Sequence, residues 1–88
     1  MEMRKLLIAD ASEEFRLALT ELLRGTYTVR LCHEGNQTLE VLCREKPDIL
    51  VLDLLLPGLS AVWWAITKAL WSTPIATAMS AVMFVSAA

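Results

Sequence analysis

The sequence predicts an α/β fold in which parallel strands carry helices on both faces. Three observations predict it. Two apolar runs, Lys5 to Ala9 and Ile49 to Leu52, each lead directly into an aspartate. Segments with helical apolar spacing lie between them, and Gly25, Gly35 and Pro47 punctuate the transitions. Strands and helices alternating at such spacing form right-handed crossover units of the doubly wound class.

Taken in order, Lys5 to Ala9 is a buried strand closed by Asp10. Ser12 caps a first helix, with Glu13 and Glu14 at the positive end of its dipole; Phe15, Leu19, Leu22 and Leu23 form its apolar face, and Gly25 ends it. Tyr27 to Cys32 alternates in part and reads as an edge strand with one wetter face. Asn36 is the expected cap of a second helix through about Glu45, with Leu39, Leu42 and Cys43 inward and Pro47 stopping it. Ile49 to Leu52 is apolar without alternation, as expected of a central strand covered on both sides. Ser60 then opens a third helix to about Trp71, apolar on every side apart from Thr67 and Lys68, and Pro74 introduces a fourth strand from Ile75 to Met79.

Composition narrows the functional classes. With 88 residues the chain is one domain at most. A net charge of -2 leaves no basic excess for a nucleic-acid backbone, so no direct nucleic-acid binding is expected. Cys32, Cys43 and the single His33 have no zinc-ligand spacing, and the cysteines read as small apolar core residues in a reduced, cytoplasmic setting. His33 is assigned no role. The apolar run after Arg4 and Lys5 is too short for a signal peptide. Charge is very uneven: seventeen of the eighteen charged residues lie between Glu2 and Asp53, and only Lys68 follows.

Ligands of parallel α/β sheets bind beyond the carboxyl ends of the strands, where the two strand-end acids, Asp10 and Asp53, are expected to face one crevice. Two carboxylates there suit a hard divalent ion such as Mg2+, which would screen an incoming phosphoryl group. Asp53 would then act as a nucleophile and form an aspartyl phosphate.

The segments LLIADAS, Leu6 to Ser12, and DILVLDLLLPGL, Asp48 to Leu59, resemble the first strand and the third strand with its following loop in response-regulator receiver domains. The resemblance implies a flavodoxin-like sheet, here incomplete, with about four strands in the order 2-1-3-4. It places Asp53 at the phospho-acceptor position and Pro57 at the family's loop proline. It implies Mg2+ held by Asp10, Asp53 and the backbone carbonyl of Leu55. It further implies a hydroxyl at the end of the fourth strand, Thr77 or Ser80, touching the phosphoryl group. The donor would be a histidine kinase or phosphotransfer protein, and the chain a phospho-acceptor rather than an enzyme. Ala11 stands where the family has a second acidic residue, Ser60 and Ala61 replace its acidic residue and glycine, and no lysine follows Lys68.

Residues 1–59 are thus expected to form the receiver-like part, and 60–88 a divergent apolar part of the same truncated domain. The fourth strand would be an open edge prone to self-association. The rival expectation is a membrane-attached or partner-binding module that uses the apolar C-terminal third without phosphotransfer. The uncharged stretch from Ala69 to Ala88 matches the roughly 20 residues of a membrane span, although Pro74 and several hydroxyl residues weaken it. A third reading is a product whose sequence after Leu59 has left the family's reading frame.

Overall fold

The computed structural model describes residues 3–69 and 81–85. The element order is β1 (Arg4–Ala9), α1 (Glu13–Leu23), β2 (Tyr27–Cys32), α2 (Gly35–Glu45), β3 (Ile49–Asp53), α3 (Leu59–Ala69) and β4 (Ala81–Val85). All strand pairings are parallel, and the sheet order is β2-β1-β3-β4. The α/β class and the 2-1-3-4 order are those expected from the sequence.

Alternation along the strands divides the core into two layers. Leu7, Ala9, Leu50 and Leu52 point to one face, where they meet Val41 and Leu42 of α2, Val62 of α3, Leu56 and Cys32. Leu6, Ile8 and Val51 point to the other, against Phe15, Leu19 and Leu23 of α1. The first layer is closed. The second is looser, because α1 has no fully buried residue and an apolar cleft of about 330 Å³ lies between Phe15, Leu19 and Leu23 of α1 and Leu6, Ile49 and Val51 of the sheet.

Several local expectations are corrected. Ser12 caps α1 as predicted, its hydroxyl accepting from the Phe15 N–H, but Leu22 is 78% exposed, and α1 ends at Arg24 in an ordinary right-handed conformation. Gly25 therefore contributes no left-handed cap; Gly58 has the one positive-φ glycine conformation among the described residues. The cap of α2 is Glu34, not Asn36. Its carboxylate accepts from the Gln37 N–H while the Gln37 side chain accepts from the His33 N–H, a reciprocal arrangement like a capping box.

The inward face of α2 is also rotated: Gly35, Thr38, Val41 and Leu42 are buried and Cys43 is exposed. Thr38 tolerates full burial because its hydroxyl donates to the Glu34 carbonyl at 2.8 Å. Helix α3 begins at Leu59 rather than after Ser60, and its apparently uniform surface resolves into Leu59, Val62 and Ile66 inward with Trp63 and Trp64 outward. The strand that pairs with β3 is Ala81–Val85; residues 75–79, where a fourth strand was expected, lie outside the described residues, as does Trp71. Among the described residues no helix is long and apolar enough to cross a membrane.

The two cysteines differ chemically. Cys32 is buried, and burial raises its thiol pKa. A thiol-reactive reagent is therefore expected to modify the native chain at exposed Cys43 alone, with Cys32 reacting only after unfolding. Equal modification rates by mass spectrometry would contradict this. Because the folded state holds the Cys32 proton more tightly than the unfolded chain, its contribution to stability is intact below the ordinary thiol range and declines as pH rises through it.

Candidate functional site

The strand order reverses between β1 and β3. Helix α1 covers one face of the sheet while α2 and α3 cover the other, so a crevice opens at the carboxyl ends of these two central strands. Ala9 of β1 pairs with Leu52 of β3, so the residues that follow, Asp10 and Asp53, stand level at that crevice.

Both acids are nearly inaccessible, Asp10 at 6% and Asp53 at 4% exposure. Each uses one carboxylate oxygen to hold its own loop. Asp10 Oδ1 accepts from the Ser12 N–H at 2.8 Å, which aligns the cap of α1; Asp53 Oδ1 accepts from the Leu55 N–H at 2.9 Å, which bends the chain out of β3. The Asp10 main chain is fixed separately, by its N–H to the Cys32 carbonyl and by the Arg16 guanidinium on its own carbonyl. The remaining oxygen of each carboxylate accepts no hydrogen bond among the described residues. Buried carboxylate oxygens without donors are costly unless a cation or water meets them. Mg2+ is commonly bound by one or two carboxylates plus waters and phosphate oxygens, so this donor set fits it. Among the described residues no third His, Cys, Asp or Glu joins them. Ala11, Glu13 and Glu14 are exposed, the two glutamates in the first turn of α1.

The loop after Asp53 is a second built feature. Leu56 to Leu59 form a turn closed by the Leu59 N–H on the Leu56 carbonyl at 3.0 Å, with Pro57 and then Gly58 at φ +74° in the centre. That is a type II turn, which favours proline at its second position and needs positive φ at its third. Leu56 is buried beneath the turn, while the Leu54 and Leu55 side chains are exposed. Leu55 thus enters the site through its backbone, consistent with its having no side-chain signature.

Of the residues expected at the site, Asp10, Asp53, Leu55 and Pro57 gather at one edge. Thr77 and Ser80 lie outside the described residues. In chain order Ser80 precedes the amino end of β4, and Val85 at the carboxyl end is the residue level with Asp53. The hydroxyl residue that follows that end in sequence is Ser86, also outside the described residues. Its signal was present in the run Ala81 to Val85, which is richer in β-branched and aromatic residues than Ile75 to Met79.

Comparison with curated proteins matches 59 residues of this chain to the response regulator MprA of Mycobacterium ulcerans (strain Agy99) at 36% identity, covering 66% of this chain and 25% of that protein. The MprA response regulators of Mycobacterium avium (strain 104) and Mycobacterium tuberculosis (strain H37Rv) match over 59 residues at 32% identity, with 66% of this chain and 26% of each relative covered. Over this stretch the chain is similar to response regulators. The chain spans about a quarter of the length of these relatives. No family model matches the chain.

Proposed function

We propose that this receiver segment accepts a phosphoryl group on Asp53 from a histidine kinase or phosphotransfer protein of a two-component relay. The observation that carries the reading is the pair of buried, level carboxylates at the switch point, each with one oxygen tied to its own loop and the other unpartnered among the described residues. Asp10, Asp53 and the Leu55 carbonyl would hold Mg2+, which when bound neutralises charge on the transferring phosphoryl oxygens. An Asp53 oxygen attacks phosphorus as the bond to the donor's imidazole nitrogen breaks. The electron pair stays on that nitrogen, and the product is a mixed anhydride on Asp53. The chain is the acceptor in this step and not a turnover catalyst. A cytoplasmic setting accords with two free cysteines.

The test is exposure of the chain to acetyl phosphate with Mg2+ and measurement of intact mass. One phosphoryl adduct is expected, and none when a chelator is present from the start. A chain that stays at its starting mass would overturn the reading.

Partner binding without phosphotransfer is the second reading, favoured by the exposure of Leu54 and Leu55 in the loop that follows Asp53. It predicts no adduct under the same conditions.

A further inference from the structure

The N-terminus of α2 meets the loop that follows Asp53, and the contact is backbone on backbone. The Gly35 N–H donates to the Pro57 carbonyl at 2.6 Å. A Cβ on Gly35 would stand 1.8 Å from the Gly58 carbonyl oxygen and 2.4 Å from the carbon that bears it. No side-chain rotation can relieve such an overlap, because every atom met is main chain. A β-carbon on Gly25, by contrast, would meet nothing within 4 Å.

The type II turn explains what the contact does. Its central peptide, between Pro57 and Gly58, is flipped relative to that of a type I turn. That orientation presents the Pro57 carbonyl to the Gly35 N–H, and the missing Cβ on Gly35 leaves room for the Gly58 carbonyl. The same turn is continuous with Leu55, whose N–H orients the Asp53 carboxylate. The sequence marks neither glycine as a site residue, since Gly35 is indistinguishable there from an ordinary turn glycine.

We propose that Gly35 is a positioning residue for Asp53: its N–H and its bare α-carbon hold the Pro57–Gly58 peptide in the type II orientation, and thereby the Leu55 amide against the acceptor carboxylate. This deepens the phospho-acceptor reading and rests on it for its functional consequence.

Gly35→Ala and Gly25→Ala are compared with the parent chain. In Gly35→Ala the Leu55 and Leu56 amides and the Asp53 carboxyl carbon shift in NMR spectra, while slow amide exchange at Leu7 and Leu50 persists. Labelling by acetyl phosphate slows by about 10- to 100-fold, as expected when a reacting group is misplaced by about 1 Å. Gly25→Ala changes none of these. Unmoved Leu55 and Asp53 resonances in Gly35→Ala overturn the proposal. So do moved resonances with an unchanged labelling rate. Should Gly35→Ala lose core protection, Gly58→Ala tests the same link by disfavouring positive φ, and must shift the Leu55 amide for the proposal to stand. If the parent chain accepts no phosphoryl group, the Leu55 and Asp53 resonances still decide the positioning, and that failure falls on the phospho-acceptor reading alone.

Discussion

Asp53→Asn is expected to remain at its unmodified mass under conditions that phosphorylate the parent chain. The substitution keeps the size of the side chain and keeps an oxygen to accept the Leu55 N–H at 2.9 Å, so the loop after β3 has no reason to move. What it removes is the anionic oxygen that would attack phosphorus and bind Mg2+. Because Asp53 is only 4% exposed, taking away a buried charge is more apt to raise stability than to lower it. Loss of labelling therefore reads as lost chemistry, provided the circular dichroism spectrum and melting temperature hold. Asp48→Asn is the matched control, since Asp48 lies at the opposite end of β3, where its carboxylate accepts from the Lys5 N–H. An adduct on Asp53→Asn equal to that on the parent would place the acceptor elsewhere.

Leu50→Ala is expected to lose about 2–5 kcal/mol of stability. Leu50 is fully buried in β3, paired with Leu7 of β1 on one side and Val82 of β4 on the other, and it sits in the closed layer beneath α2 and α3. The surrounding side chains come from several different elements and cannot collapse together into the vacated space. Small domains hold roughly 5–15 kcal/mol in total, and a chain this short belongs near the lower end, so the variant is expected to be substantially unfolded at 37 °C. Leu22→Ala, at a leucine 78% exposed on α1, should change stability by no more than about 0.5 kcal/mol. Urea unfolding followed by circular dichroism compares them, and coincident midpoints would sink the packing account.

The same contrast between Leu50 and Leu22 shows where sequence reading succeeds and where it stops. Strand β2 was legible to the residue, because Tyr27 to Cys32 carries both β-branched content and partial alternation. The α1 cap was legible because Ser12 followed by two glutamates is a local signal that needs nothing beyond its own turn. Helix faces were less so. Leu22 and Cys43 are apolar and at acceptable spacing, yet each lies just outside the arc that contacts the sheet. Thr38 is polar and was passed over, yet it is buried, because its hydroxyl is satisfied by the preceding turn. In α3, where almost every residue is apolar, periodicity carries no information, and only contact with α2 and the sheet selects Val62 over Trp64.

For the site, sequence alone determined that two acids end two apolar strands and that a proline loop follows the second. Those are local facts, written in residue type and spacing. Tertiary structure decided three further things. Parallel pairing of β1 with β3 makes Asp10 and Asp53 level, and register is a property of two strands together. The pairing of Val85 with Asp53 brings the carboxyl end of β4 level with that of β3. The approach of α2 to the Asp53 loop turns Gly35 from a turn residue into a close backbone contact, because steric exclusion by Gly58 exists only once residues far apart in the chain are packed together.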